Sequence, residues 1–233
     1  IIFNGEGYYY YNQPSGNRYT TDKTPNNTAF IEIVDGGQDL RFKLTTDIRM
    51  ANSTWYPLGT PAHPFRGTFD GDSHRVSNFR VLPFNSSEAQ ENPGHCGFFG
   101  YIEGGTVHDL ILDSVLIQAI LPHQGALCGY NSGGTISNCL VRNGRIQLQG
   151  EGEGIGLVCG TNRYGNISHC QVNRTNSASF YNNSFCIPSG GDKLGGICGH
   201  NAFGTIDSCQ VDSLTVNSTT IANRVGGVVG YNE

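Results

Sequence analysis

The chain has 233 residues, with 14 Lys and Arg against 19 Asp and Glu, a net charge of −5, 14% charged residues and 33 glycines. Its scattered cations give no basic face for nucleic acid. The longest apolar run, around Val115–Leu121, is too short to span a membrane and contains Gln118. The residues from Ile1 onward do not read as a signal peptide, so if the protein is secreted Ile1 is expected at or beyond the cleavage point.

Residues 1–28 carry no repeat signature and read as an N-terminal strand or cap segment. Ile1, Ile2 and Phe3 open it, and Tyr8, Tyr9 and Tyr10 follow. Such a strand either covers the open end of its own fold or leaves its subunit to complete another copy by strand addition. The second possibility is prompted by Gly226–Glu233, where Val228 and Val229 open a unit that stops short. Residues 29–50 read as two or three strands around Asp35-Gly36-Gly37, and Trp55 as a core plug.

From residue 97 a unit recurs. Gly125–Val141, GALCGYNSGGTISNCLV, returns as GLVCGTNRYGNISHCQV at 156–172 and GICGHNAFGTIDSCQV at 196–211. A worn copy precedes it at 97–112, and a fragment follows at 226–232. Gly100, Gly129, Gly160, Gly199 and Gly230 mark intervals of 29, 31, 39 and 31 residues, so a unit of about 30 residues carries one insertion. Within each unit apolar alternation is interrupted by two residues, Ser137-Asn138, Ser168-His169 or Asp207-Ser208, which read as a corner between short strands. Helical spacing is absent. The expected fold is all-β: a single parallel β-solenoid of about five to six coils over 29–233, its inward residues stacked in ladders.

These units resemble GLUG repeats, whose Gly-Gly-Leu-Val-Gly-Tyr-Asn-like run and following Gly-Thr-Ile-Ser-Asn-Cys match Gly125–Cys139 closely. Residues 47–81, with Trp55, Pro57-Leu58-Gly59 and Gly67-Thr68-Phe69-Asp70-Gly71, are similar to the lead-in that often precedes such repeats. The resemblance implies a solenoid in a large secreted or surface-anchored protein of the adhesin type. Some proteins bearing these repeats are metallopeptidases, but His-Glu-x-x-His is absent from this chain.

Six of the eight cysteines form pairs 11 residues apart: Cys128/Cys139, Cys159/Cys170 and Cys198/Cys209. The worn unit replaces both members together, with Phe99 and Leu110. Joint replacement points to three disulfides across the coil, leaving Cys96 and Cys186 to pair by elimination. The alternative is two columns of free buried thiols. Seven Asn-x-Ser/Thr sequons, at Asn26, Asn52, Asn85, Asn166, Asn173, Asn182 and Asn217, point with the disulfides to an extracellular glycoprotein, unless Asn- and Ser-rich turns generate them by composition.

The insertion at 176–192 reads as a loop whose Phe180, Tyr181 and Phe185 either form a recognition surface or fold back on the coil. Asp70, Asp72 and His74 could serve polysaccharide cleavage or hold calcium, but Asp70-Gly71 also suits an ordinary Asx turn. No cofactor or metal site follows from the pattern. The expected function is non-enzymatic: an extracellular structural or adhesive protein, joining end to end with its own copies or meeting a glycan or host surface. A carbohydrate-binding or polysaccharide-cleaving solenoid using Asp70, Asp72 and His74 is the alternative.

Overall fold

The structure is a computed structural model that describes residues 2–3, 41–55, 57–82, 94–119, 122–148, 152–173, 184–187, 191–218 and 223–233. Its described residues form strands and turns without a helix. The first strands are β1 (Ile2–Phe3), β2 (Arg41–Leu44), β3 (Ile48–Thr54), β4 (Thr68–Asp70) and β5 (Arg75–Val81).

Four units of five strands follow. The first holds β6 (His95–Cys96), β7 (Phe99–Glu103), β8 (Thr106–His108), β9 (Ile111–Asp113) and β10 (Leu116–Ala119). The second holds β11 (His123–Gly125), β12 (Cys128–Ser132), β13 (Thr135–Ser137), β14 (Leu140–Arg142) and β15 (Arg145–Leu148). The third holds β16 (Gly152–Gly156), β17 (Cys159–Arg163), β18 (Asn166–Ser168), β19 (Gln171–Asn173) and β20 (Ser184–Ile187). The fourth holds β21 (Gly191–Gly195), β22 (Cys198–Ala202), β23 (Thr205–Asp207), β24 (Gln210–Val211) and β25 (Thr215–Ser218), and β26 (Asn223–Gly226) and β27 (Val229–Asn232) begin another.

Each strand pairs in parallel with its counterpart in the next unit. One sheet runs β1-β2-β4-β8-β13-β18-β23, two more run β6-β11-β16-β21-β26 and β7-β12-β17-β22-β27, and a ten-stranded sheet joins the rest. The register is the one the repeat alignment gives: Cys128 lies opposite Cys159, and Cys159 opposite Cys198. In the ten-stranded sheet β5 pairs with β9 through Arg75–Ser77 and with β10 through Arg80–Val81, so one long strand is followed by two shorter ones. The break between them is Ser114, in the left-handed region at φ 57°.

The expected corner is present as well. Asn138, His169 and Ser208, at φ 53°, 54° and 50°, turn the chain from β13, β18 and β23 into β14, β19 and β24. Asn tolerates this conformation better than most residues do. Glycine is required where the backbone doubles back before each thiol: a Cβ on Gly125, Gly156 or Gly195 would lie 2.1, 2.3 or 2.0 Å from the carbonyl oxygen three residues on.

The core is a set of ladders. Phe42, Phe69, Val107, Ile136 and Ile167 are buried along the seven-stranded sheet, and Leu112, Val141 and Val172 along the ten-stranded one. A buried aliphatic side chain contributes roughly 1.5–3 kcal/mol. Trp55 is the expected plug: it stacks on Phe98 with centroids 4.4 Å apart and donates from Nε1 to the Phe98 carbonyl at 2.8 Å.

One expectation changes. The 176–192 insertion is not wholly a loop, because β20 inside it pairs with β15 and β25 and sets Phe185 in register with Ile146 and Val216. Phe185 is therefore a strand residue, while Phe180 and Tyr181 lie outside the described residues. At the other end, Ile2 and Phe3 pair with Lys43 and Leu44 of their own chain; Ile1, Tyr8, Tyr9 and Tyr10 lie outside the described residues.

Candidate functional site

Of the three residues singled out for carbohydrate chemistry, Asp70 and Asp72 meet at Lys43, while His74 turns to Asp47. Asp70 ends β4, and its Oδ1 accepts the Asp72 N–H at 2.8 Å, the Asx turn that the Asp-Gly pair allows. Asp72 turns to Lys43, whose Nζ lies 2.8 Å from its Oδ2; that hydrogen bond holds the Asp72 carboxyl below the usual range. His74 faces Asp47, Nδ1 to Oδ1 at 3.5 Å, and the Arg75 backbone N–H leads in holding the Asp47 carboxyl down.

Instead, the parallel register brings His108 opposite Asp70. His108 Nδ1 lies 3.7 Å from Asp70 Oδ1 and 2.7 Å from Asp109 Oδ2, and one ligand atom from each of the three falls within 4.8 Å of the others. Two carboxylates and an imidazole are donors that suit a divalent cation. The Lys43 ammonium, 3.6 Å from Asp70 Oδ2, already supplies positive charge there. His108-Asp109 fills the two-residue corner of its unit, but its spatial partner on β4 follows only from the stacking register.

A second cluster, which composition did not suggest, runs along β6, β11, β16 and β21 against β7, β12, β17 and β22. His95 stacks on His123 with centroids 5.1 Å apart, and Tyr101 stacks on Tyr130 at the same separation. Edge and tilted contacts at 5.2 Å join His95 to both tyrosines. Burial pushes the His95 imidazole down to about 3 and that of His123 down to about 4, so both are neutral near pH 7.

His123 Nδ1 lies 2.9 Å from Thr161 Oγ1, over Gly154, where a Cβ would come within 2.4 Å of that hydroxyl. Lys193 packs on the other side, salt-bridged to Glu153, with its Nζ 3.4 Å from His200 Nδ1 and 5.3 Å from the Tyr231 ring centroid. Neutral, mutually packed imidazoles and an already paired lysine make this a packing and hydrogen-bonding cluster.

The cysteines require a correction. Cys128, Cys139, Cys159, Cys170, Cys198 and Cys209 are free, as is Cys96. Residues 11 apart sit in different parts of the unit: Cys128 starts β12, while Cys139 occupies the corner before β14. Cys128, Cys159 and Cys198 lie opposite one another in register, and the thiols donate to backbone carbonyls, Cys159 to Thr161 at 3.1 Å, Cys198 to His200 at 3.2 Å and Cys170 to Ser168 at 3.4 Å. The jointly replaced Phe99 and Leu110 are thus rungs of two separate ladders. Burial raises the Cys159 and Cys198 thiols well above the ordinary range and brings Cys96 up to about 12. Cys186 is a strand residue in register with Gln147 and Asn217, in a different sheet from Cys96.

A buried polar ladder was missed as well. Asn131 and Asn162 are fully buried, and each Nδ2 donates both to Oδ1 of the next rung, at 2.8 and 2.7 Å, and to the carbonyl of Gly134 or Gly165. Asn201 continues the series to Asn232. The signal is in the chain: each Gly-x-Asn of the repeat supplies one rung.

Of the sequons, Asn52 and Asn166 are exposed and Asn173 is half-buried. Asn217 lies in β25, and Asn26, Asn85 and Asn182 lie outside the described residues. Val228 is exposed and Val229 half-buried at the last strands. Among the described residues no helix is long and apolar enough to cross a membrane. No protein-family model, curated protein or solved structure matches the chain.

Proposed function

We propose that the stacked units form one continuous β-solenoid of the GLUG type that the repeats resemble, and that it serves as a non-enzymatic extracellular module with a structural or adhesive role. The observation that carries this reading is the unbroken register in which Cys128, Cys159, Cys198 and Val229 follow one another. Such a stack supplies a stiff surface whose outward residues repeat at about 4.8 Å. The seven sequons support the extracellular setting. The buried thiols, shielded from solvent, are compatible with an oxidising compartment without forming disulfides.

The carbohydrate-cleaving alternative has less support, because Lys43 pairs with both Asp70 and Asp72 while His74 turns to Asp47. In the favoured reading copies join end to end, or the side of the stack meets a glycan or host surface.

The test incubates the protein with a panel of plant, bacterial and animal polysaccharides while reducing and unsaturated ends are measured. The expectation is no release above a boiled control. Release that Asp70→Asn or Asp72→Asn abolishes would overturn the non-enzymatic reading. Negative-stain microscopy of native material reports on end-to-end assembly through a regular axial repeat.

A further inference from the structure

At the corner between β12 and β13 the chain needs a left-handed residue, and Gly133 supplies it at φ 68°, as Gly104 does at φ 66° one unit earlier. A Cβ at either glycine would meet nothing within 4 Å. The next two units place Tyr164 and Phe203 at the same corner, at φ 56° and 55°. This conformation is costly for an aromatic residue. Little burial offsets the strain, since the two residues stay 60% and 63% exposed. Their rings stack at 5.6 Å and 17°, and the Arg163 guanidinium sits 5.2 Å from the Tyr164 centroid.

The unit that exchanges glycine for Tyr164 departs from the pattern at a second place, two residues on. Where Thr106, Thr135 and Thr205 lie in register, it has Asn166, and this creates the sequon Asn166-Ile167-Ser168. Asn166 is exposed on β18, so a substituent on its amide meets solvent. Asn173, by contrast, is half-buried, and its Oδ1 is out of water without a partner.

We propose that Asn166 carries an N-linked glycan whose first sugar ring rests on the exposed face of the Tyr164–Phe203 pair. The inference rests on the extracellular reading above. In the transfer, Asn166 Nδ2 attacks the anomeric carbon of a lipid-pyrophosphate-linked oligosaccharide of the secretory pathway. The N–C bond forms as the C–O bond to pyrophosphate breaks, the pyrophosphate takes the electron pair, and a base takes the amide proton. The apolar C–H face of the attached pyranose then covers aromatic surface that the protein alone leaves in water.

The test secretes the full chain from a eukaryotic host, maps each sequon by glycopeptide mass spectrometry, and compares melting after enzymatic trimming to one sugar with melting after complete removal. Asn166 is expected to be occupied, and the single retained sugar is expected to raise Tm by roughly 2–4 °C. Tyr164→Gly should abolish that increment while leaving the unglycosylated protein as stable or more stable, because glycine is unstrained at this corner. Other sequons occupied with Asn166 bare, or an increment unchanged in Tyr164→Gly, would overturn the proposal alone. So would binding of free chitotriose to Asn166→Gln, which would assign the platform to a soluble saccharide. Native material with no sequon occupied would instead count against both this site and the extracellular reading.

Discussion

Asn162 donates from its buried Nδ2 to Oδ1 of Asn201, 2.7 Å away and one unit further along the stack. The same nitrogen donates to the Gly165 carbonyl at 3.1 Å, so one side chain ties its own turn and the next unit together. The series starts abruptly: Ile102 stands in register before Asn131, whose Oδ1 is buried without a partner.

Position in this ladder should therefore grade the cost of removing a rung. Asn162→Ile strips the donor from Asn201 Oδ1 and from the Gly165 carbonyl, and each buried group left unsatisfied costs about 1–3 kcal/mol. Asn131→Ile should cost less, because it also removes an acceptor that is already orphaned and extends the apolar rung of Ile102. Urea denaturation of the two variants measures the difference; equal losses would mean that the ladder is not a connected chain.

The thiols give a second prediction. Under denaturing conditions without reductant, Cys96, Cys128, Cys139, Cys159, Cys170, Cys198 and Cys209 should all titrate as free thiols. In the native protein Cys209, half-buried at the edge of its column, should label with maleimide well before Cys159 or Cys198, which are fully buried. Peptide mass spectra containing a Cys128–Cys139, Cys159–Cys170 or Cys198–Cys209 crosslink would contradict this arrangement.

Much of the fold is legible in the chain because a stacked repeat writes its register into the sequence. The alignment that sets Cys128 over Cys159 and Cys198 is the one that the strands adopt. The corners at Asn138, His169 and Ser208 are readable from the two-residue break in alternation. What misleads is proximity within a unit. Two columns replaced together suggest a contact across the coil, when each column faces its own copies. Asp70 and His108 are 38 positions apart with no shared motif, so their meeting depends on which strands pair before the clear repeats begin. The His95–Tyr101 cluster is hidden for a related reason: His95 and His123 repeat in register, as do Tyr101 and Tyr130, but the next unit breaks the series with Thr161.

The buried imidazoles predict a pH dependence. His95 and His123 have folded-state values depressed to about 3 and about 4, against 6.5 for the ordinary side chain. The unfolded chain therefore binds more protons between those limits, and stability must fall as pH drops from about 6.5 toward 4. Asp47, held down first by the Arg75 backbone N–H, and Glu153, held down by the Lys193 hydrogen bond, add a separate loss at lower pH. The denaturation midpoint should decline between pH 7 and pH 5, and His95→Gln should flatten that decline. A midpoint independent of pH in this window would show that the imidazoles are solvated.

The most direct measurement is methyl NOE spectroscopy on protein labelled at isoleucine δ1. Ile136, Ile167 and Ile206 stand in register on β13, β18 and β23. Continuous stacking predicts strong cross-peaks from Ile167 to both Ile136 and Ile206, with none of comparable strength between Ile136 and Ile206, which are two strand spacings or about 10 Å apart. Absence of either Ile167 contact, or a direct Ile136–Ile206 contact in its place, would contradict the stacked-repeat architecture.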